Sequence, residues 1–420
     1  MSDLFSYSNG YTFQELKQMT DVFYELQLPG LREVNIENLL GEYVFGKSMN
    51  RFPVGRRHTL RRFLGGLFSY SFTVTGKGNK VFLFTGDGQG RPDYVNGLEK
   101  VAGQCDSCVI VKINRQKLIL KPWRIVSVIP ELIWANKINK VVRCFYISFD
   151  MAVSLFRAKK SAQELQTIIM HHSPKLVTVF CDAWVTENML VQYLRKQDVS
   201  TATLQHGNGT EIFLGTCADT YLANSLLSKS NAIQCGVPEG RLYVAGPMKY
   251  AGEQYKYKYK KKLSRIGVVF DGANNLQNNI EMIDMVRKAL KDTAIEIAVR
   301  FHPNNKPEDY HEHVSDDNTI YDTLDEFESN IDLCIVYNSS MYTDMIYKKI
   351  PVIRYKNGKV DLFPELDDKG FSTPGQLIDI INLYNDDYDR FLEMQRSLYD
   401  KVFGNQCGKD SYKEFFMKWK

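Results

Sequence analysis

The sequence predicts an α/β protein made of two doubly wound parallel-sheet domains, and three observations lead to this prediction. Short runs rich in Val, Ile and Leu, such as residues 176–181 and 265–270, have the length and composition of strands buried on both faces. Segments with apolar residues at helical spacing lie between these runs. A tract rich in Lys and Tyr at residues 249–265 interrupts the alternation near the middle of the chain and predicts an interdomain linker.

Length and composition predict ordinary globular domains. The chain has 420 residues, of which 44% are hydrophobic and 24% charged, and this length favours about two or three domains of ~100–200 residues each. A net charge of +4 is too small to indicate a nucleic-acid partner. Eight irregularly spaced cysteines favour a reducing compartment. Because the first residues lack a signal-peptide pattern and no uncharged apolar run reaches ~18 residues, we expect a cytoplasmic protein.

The first half of the chain predicts six strands that alternate with helices. The predicted strands are residues 80–85, 109–113, 176–181, 200–204, 220–222 and 241–245, and the predicted helices include residues 161–171 and 187–196. Alternation of strands and helices indicates crossover connections, and therefore a parallel sheet covered on both faces. The first strand leads into a glycine-rich turn, residues 86–90, which fits neither a P-loop nor a GxGxxG dinucleotide site.

Two segments outside this alternation combine basic and apolar residues. Residues 51–72 contain five arginines and a histidine beside Leu and Phe, and residues 118–134 form a second apolar and aromatic segment. A basic amphipathic segment can lie on an anionic membrane surface. A basic surface, a helix lining a cleft for an anionic substrate or a buried helix pair also explains these compositions. Peripheral contact with an anionic membrane is therefore one hypothesis for these segments.

The second half of the chain predicts a second alternating domain. Its predicted strands are residues 265–270, 295–301, 319–321, 331–336 and 351–355, and its predicted helices are residues 280–290, 341–348, 374–385, 387–403 and 411–420. This organisation assigns one domain to residues 1–248, the linker to residues 249–265, and a second domain with C-terminal helices to residues 266–420.

Three predicted strands of the second domain end in polar residues that a hydrophobic core would exclude. Carboxyl ends of parallel strands share one edge of a sheet, where ligands bind, and a capped helix N-terminus suits a phosphate. With Asn338 as the cap and Arg300 adding positive charge, the sequence predicts a nucleotide-phosphate pocket. Its predicted residues are Gly272, Arg300, His302, Asn338, Ser339 and Ser340. The alternative is a set of ordinary β–α turns, with Arg300 paired to a carboxylate.

Three short motifs carry a resemblance to a known group of enzymes. Gln205-His206-Gly207, Arg300-x-His302-Pro303 and Asn338-Ser339-Ser340 follow one another along the chain. Their order resembles that in CDP-glycerol glycerophosphotransferases, bacterial polysialyltransferases and capsule Kdo transferases, which are GT-B fold enzymes. The resemblance implies two Rossmann-like domains facing a cleft, with an acceptor domain first and a nucleotide-donor domain second. It also implies transfer from a CMP-, CDP- or UDP-linked sugar to a growing cell-surface or capsular glycan.

The same resemblance implies roles for individual residues. His302, Ser339 and Ser340 would hold the donor nucleotide and its phosphate, and His206 would be the catalytic base. The sequence also departs from these families. The teichoic acid enzymes carry an acidic residue and Tyr before the paired serines, where this chain has Tyr337-Asn338. Sialyltransferase-like enzymes use an acidic-acidic-Gly triplet, and this chain has only Gly86-Asp87-Gly88 and Phe270-Asp271-Gly272. The identity of the donor therefore stays open.

Glycosyl transfer needs a base for the acceptor hydroxyl and groups that stabilise the departing phosphate. His206, in a turn after a predicted strand, is the first candidate base, and Glu211 and Asp87 are the next two. Asp182 and Glu187 are weaker candidates. No Asp-x-Asp sequence stands in a strand–turn context, so we expect no metal and no cofactor. The expected partners are a nucleotide-sugar donor and a glycan or lipid-linked glycan acceptor.

Three other functions fit the same sequence. A CDP-glycerol-type polyol-phosphate transferase would keep the fold and transfer a phosphoryl group instead of a sugar. A non-catalytic GT-B-like partner subunit would keep the fold without turnover. A sugar-nucleotide epimerase would use a similar cleft without any acceptor.

Overall fold

The structure is a computed structural model of the chain. It describes residues 67–76, 80–84, 91–124, 145–182, 184–205, 216–234, 236–257, 262–314, 318–359, 368–404 and 410–419, together with isolated residues 60, 64, 78, 126, 129, 136, 361, 363, 366 and 407. The chain divides into two compact units. Unit 1 contains Met1–Gly252 and Gln406–Lys420, and unit 2 contains Glu253–Asn405.

Unit 1 is built on a sheet of seven described strands. They are β1 (Phe68–Gly76), β2 (Val81–Phe84), β3 (Cys108–Leu120), β4 (Leu176–Val179), β5 (Ser200–Leu204), β6 (Thr220–Ala223) and β7 (Leu242–Val244). Their order is β1-β3-β2-β4-β5-β6-β7. β1 runs antiparallel to β3, and every other neighbouring pair is parallel. All six strands predicted for this half are present.

Helices cover both faces of this sheet. They are α1 (Pro92–Gln104), α2 (Phe145–Met170), α3 (Val185–Arg195) and α4 (Leu226–Gln234). On β2, Phe82 and Phe84 pack into one core with α2 and α3, whereas Val81 and Leu83 pack into a second core with α1. Burial of alternate residues in two separate cores explains why β2 reads as a continuous apolar run.

The antiparallel edge strand was not predicted. The sequence places residues 68–72 in the basic amphipathic segment and residues 118–120 in the second apolar segment, but residues 68–70 pair with residues 118–120 across β1 and β3, with Phe68 opposite Leu120. The sequence of β1, FSYSFTVTG, alternates large side chains with Ser and Thr. That period of two is the pattern of a strand and not of a helix.

Unit 2 is built on a five-stranded parallel sheet. Its strands are β8 (Arg265–Val269), β9 (Glu296–Arg300), β10 (Thr319–Ile320), β11 (Leu333–Val336) and β12 (Val352–Arg354), in the order β10-β9-β8-β11-β12. Its helices are α5 (Leu276–Leu290), α6 (Leu324–Ser329), α7 (Met341–Tyr347), α8 (Pro374–Asp386) and α9 (Tyr388–Val402). Numbered along the chain, the strands run 3-2-1-4-5, which is the Rossmann order.

A glycine lets this sheet accept a helix closely. Gly267, in the central strand β8, faces Phe327 of α6, and a Cβ at this position would lie 2.5 Å from the Phe327 ring. Ile266 and Val268 point to the opposite face and pack with α5 and α8. Both faces of the second sheet are therefore covered. The predicted fold class of two Rossmann-like, doubly wound α/β domains is confirmed.

The end of the chain belongs to unit 1, in contrast to the predicted boundary of residues 266–420. The last described helix, α10 (Ser411–Met417), places Phe415 and Phe416 in the core of unit 1. The Tyr412 hydroxyl donates to the Gly246 carbonyl oxygen at 2.7 Å. The residues that α10 contacts in unit 1 are far from it in sequence, and no local pattern reveals such contacts. Its position after the helices of the second domain therefore predicts that it belongs to that domain. The division between Gly252 and Glu253 lies inside the predicted linker.

Candidate functional site

Polar residues follow three adjacent strands of unit 2 at the carboxyl edge of its sheet. Asp271 and Gly272 follow β8, His302 follows β9, and Asn338 follows β11. β8 lies between β9 and β11, so the three polar ends are neighbours. The strand order reverses between β8 and β11, and ligands of open α/β sheets bind in the crevice at such a switch point.

Asp271 joins the ends of β8 and β11. Its side chain is buried, with 4% of the residue exposed. Its Oδ2 accepts the backbone N–H of Asn338 at 3.1 Å, and the Ser339 side chain also hydrogen-bonds to the carboxylate. Oδ1 is buried and has no hydrogen-bond partner among the residues that the structure describes. The carboxylate therefore fixes the loop after β11 and retains one acceptor oxygen.

The backbone of Asp271 is held by two side-chain amides. Asn279, in the first turns of α5, accepts the Asp271 N–H at 2.9 Å and donates to the Asp271 carbonyl oxygen at 2.9 Å. The same Asn279 amide donates to the Tyr310 hydroxyl at 3.0 Å. Asn305 donates to the Asp271 carbonyl oxygen from the loop after β9. These bonds connect the β8 end to the β9 loop and limit the movement of Asp271.

Burial raises the pKa of Asp271 to about 6. Hydrogen bonds from the Asn338 N–H and the Ser339 side chain favour the carboxylate and lower the pKa, but desolvation outweighs them because it penalises the charged form. The carboxyl group therefore changes its charge close to neutral pH, and such groups are concentrated at functional sites.

His302 lies beside the β8 end with a defined ring orientation. A Cβ placed on Gly272 would lie 3.7 Å from Nδ1 of His302. The Asn304 N–H donates to that Nδ1 at 3.2 Å, so in the neutral ring the hydrogen is on Nε2. An N–H group at Nε2 is a suitable donor to a phosphate oxygen.

The predicted cap of α7 is wrong. Ser340, not Asn338, is the N-cap residue, and its side chain makes no capping hydrogen bond. The Ser339 hydroxyl oxygen instead accepts the Met341 N–H at 3.3 Å. The helix itself begins at Met341, as predicted, and only its cap residue differs. Since α7 has only seven residues, the site depends on side chains and loop groups more than on a helix dipole.

Arg300 is placed on the β10 side of β9. Its Nη1 donates to the Asp322 carbonyl oxygen at 3.1 Å, which differs from the carboxylate partner considered as an alternative. Its contribution to donor binding stays a prediction.

The predicted bases His206, Glu211 and Asp87 lie outside the described residues and stay predictions. The weaker candidate Asp182 is described, and it is buried. Its Oδ2 accepts the Thr216 hydroxyl at 2.5 Å and the Cys217 and Ala218 N–H groups at 2.7 and 2.9 Å. These bonds anchor the segment that follows residues 206–215. Burial raises the pKa of Asp182, although these donors favour its charged form.

The described part of the chain contains neither a metal-binding cluster nor a membrane-spanning helix. No group of three or more His, Cys, Asp or Glu side chains in the described part of the chain is arranged to hold a metal ion. No helix among the same residues is long and apolar enough to cross a membrane.

No protein-family model and no curated protein matches the chain. Among solved structures, the chain is similar to S. aureus MnaA in its structure with UDP, with a TM-score of 0.49 and 14% identity, covering 80% of this chain and 94% of that one. It is also similar to the UDP-GlcNAc 2-epimerase of Methanocaldococcus jannaschii, with a TM-score of 0.47 and 11% identity, covering 81% and 98% of the two chains. CalG4, the calicheamicin glycosyltransferase, gives a TM-score of 0.44 and 11% identity over 81% and 98%.

These likenesses have TM-scores below 0.5 and identities of at most 14%, and they carry no inference about ligand, substrate or reaction. The topology of the chain itself identifies the fold. Two Rossmann-like units, each with its own mainly parallel sheet and its own core, are the kind of domain from which GT-B proteins are built.

Proposed function

We propose that this protein is a metal-independent glycosyltransferase that transfers a sugar from a CMP-, CDP- or UDP-linked donor to a growing cell-surface or capsular glycan. One observation carries the proposal. The buried Asp271 connects the polar ends of β8 and β11 at the switch point of unit 2, where a nucleotide binds in Rossmann-like sheets. The sequence motifs at His302 and Ser339 lie at the same edge.

The residues of the proposed donor site have different roles. The Nε2–H of His302 and the hydroxyls of Ser339 and Ser340 are donors to the phosphate oxygens, where negative charge develops as the sugar leaves. Gly272 has no side chain between the β8 end and His302, which leaves room for the phosphate to approach the backbone. His206 of unit 1 is the proposed base for the acceptor hydroxyl, with Glu211 and Asp87 as the next candidates.

A nucleotide panel tests the donor site. CMP, CDP, UDP and GDP are each added to the protein and the melting temperature is measured. The correct nucleotide is expected to stabilise the folded protein by about 2.7 kcal/mol at a concentration one hundred times its Kd. His302→Ala is expected to lose this shift, whereas His206→Ala keeps it and loses turnover.

His311→Ala is the matched control, because the His311 side chain is 73% exposed and lies outside the site. Loss of the nucleotide shift in both His302→Ala and His206→Ala would show that the division of roles is wrong. Release of CMP from a CDP-polyol donor would favour the polyol-phosphate transferase, and conversion of a UDP-sugar without acceptor would favour an epimerase.

We further propose that the protein acts in the cytoplasm at the inner face of the cell membrane, where a lipid-linked acceptor is accessible. Several large apolar side chains of unit 1 are exposed. Trp123, Val126 and Ile129 are 65%, 70% and 52% exposed and are spaced three residues apart. Leu60 and Leu64, which follow the arginines of residues 51–57, are also exposed. Exposed Trp and aliphatic side chains beside basic residues are typical of membrane-surface segments.

Hydrogen bonds join the two apolar segments. The Lys121 N–H donates to the Leu67 carbonyl oxygen at 2.9 Å, and Nη1 of Arg124 donates to the Phe68 carbonyl oxygen at 2.7 Å. Arg124 is buried and also pairs with Glu164 of α2. The exposed residues are therefore attached to the sheet of unit 1.

Vesicle sedimentation tests the membrane surface. The double variant Trp123→Ser, Val126→Ser is expected to bind vesicles containing anionic lipid at least about tenfold more weakly, which corresponds to ~1.4 kcal/mol. Ile378→Ser is the control, because Ile378 is an exposed residue of unit 2. Equal vesicle binding by the double variant and the wild type would show that this surface does not contact the membrane.

A further inference from the structure

We infer that binding of an anionic nucleotide at the carboxyl edge of unit 2 is coupled to the uptake of one proton by Asp271. Asp271 holds the loop of Asn338 and Ser339. It would therefore act as a positioning residue, because it affects the nucleotide through this loop. This inference rests on the proposed function, because it takes the ligand of the site to be a nucleotide phosphate.

The geometry places a buried carboxylate among the groups proposed to bind the phosphate. Asp271 binds the Asn338 N–H and the Ser339 side chain, and Gly272 and His302 are its neighbours at the strand ends. A phosphate at these residues would lie next to a negative charge that is shielded from water. Two negative charges in a buried site repel each other, and protonation of one relieves the repulsion.

Several observations identify Asp271 as the group that takes the proton. Its pKa is already about 6 because of burial, so the acid form predominates at neutral pH once a nearby phosphate raises this pKa above 7. Among the described residues, the titratable neighbours are His302, beside Gly272, and Tyr310, bound to Asn279. Burial raises the pKa of Tyr310, so it stays neutral.

The protonated side chain can keep its structural role. Oδ2 still accepts the Asn338 N–H, and the proton attaches to Oδ1, which has no partner among the described residues. The proton comes from solvent, and no covalent bond of the nucleotide is made or broken. Phosphate binding and proton binding therefore favour each other.

Titration calorimetry measures the coupling directly. CMP, CDP and UDP are titrated into the protein at pH 6, 7 and 8, each in two buffers with different ionisation enthalpies. The wild type is expected to take up a substantial fraction of a proton at pH 7 and to lose affinity towards pH 8, by up to about tenfold per pH unit. Asp271→Asn keeps a side-chain oxygen that can accept the Asn338 N–H, and it leaves His302 unchanged. It is expected to show no uptake beyond that of the nucleotide's own phosphate, and tighter binding than the wild type at pH 8.

The stability of the ligand-free protein gives a second measurement. The pKa of Asp271 in the fold is above the ~3.9 of an unfolded Asp, so the folded state binds more protons and stability is lost as pH rises from about 4 through 6. Asp271→Asn is therefore expected to melt higher than the wild type at pH 8, with the difference shrinking towards pH 4.

The outcomes distinguish this inference from the proposed function. Nucleotide binding with equal proton uptake in wild type and Asp271→Asn overturns the inference and leaves the proposed function intact. Absence of proton uptake by the wild type at pH 7 overturns it even if the variant does not fold. Absence of CMP, CDP and UDP binding at every pH overturns the proposed donor site as well.

Discussion

Arg354→Met is expected to lower the free energy of unfolding of unit 2 by about 3–5 kcal/mol. Arg354 is 1% exposed, and its Nε and Nη2 donate to the two oxygens of Asp368 at 2.6 and 2.7 Å. Nη1 pairs with Asp361, and the guanidinium lies over the rings of Tyr342 and Phe363. Methionine fills a similar volume but leaves the Asp368 carboxylate buried without its main partner.

This loss is expected to depend on pH. Burial opposes ionisation of Asp368, but the hydrogen bonds from Arg354 lower its pKa to about 2. Because the folded pKa is below the unfolded value of ~3.9, the stabilisation is present above pH ~4 and is lost as pH falls towards 2. Urea unfolding at pH 7 and pH 3 should show a smaller difference between Arg354→Met and the wild type at pH 3.

Arg396→Met is the control for this measurement, because Arg396 is exposed on α9 and its replacement should change stability by less than about 0.5 kcal/mol. Lys356 also contacts Asp368, at 2.7 Å, and is expected to compensate only in part. A loss below about 1 kcal/mol for Arg354→Met would mean that Lys356 replaces the guanidinium.

Gly272→Val is expected to weaken nucleotide binding at least about a hundredfold, or ~2.7 kcal/mol, without destabilising the fold. Gly272 has φ −55° and ψ 162°, a conformation open to any residue. A Cβ would make ordinary contacts with the His302 ring at 3.7 and 3.8 Å. The two further methyl groups of valine would extend from that Cβ between the β8 end and the ring, where the phosphate is proposed to approach.

Gly272→Ala is the matched control, with an expected effect on affinity of less than about tenfold. Calorimetry with the nucleotide that stabilises the wild type gives the affinities, and the melting temperature without nucleotide checks the fold. Unchanged nucleotide affinity in Gly272→Val would place the phosphate elsewhere in unit 2.

Most strands of the two sheets could be predicted from the sequence because they are buried on both faces. The sequence predicts a strand at residues 200–204, and β5 has the same bounds; its Thr residues favour a strand. β1 was missed because basic residues before Phe68 made the whole segment resemble an amphipathic helix. The assignment of α10 to unit 1 depends on contacts across more than a hundred and sixty positions, which no local pattern contains.

The polar residue at the end of each strand could be predicted separately, but the contacts between the strand ends could not. His302 and Ser339 stand out because polar residues directly follow apolar runs. In the sequence, Asp271 stands out only as part of an incomplete acidic triplet, although it too follows a buried strand. Its importance arises from the order β9-β8-β11, which brings its carboxylate to the Asn338 N–H.

The return of the chain to unit 1 has a consequence for its biosynthesis. Phe415 and Phe416 belong to the core of unit 1, but the ribosome makes them after the whole of unit 2, Glu253–Asn405. Domains generally fold as units in the order of their synthesis. Here the unit that is started first is completed last, so unit 2 can finish folding while the core of unit 1 still lacks its final helix. Nascent chains that stop before α10 would therefore expose the apolar surface around Tyr243 to chaperones and proteases.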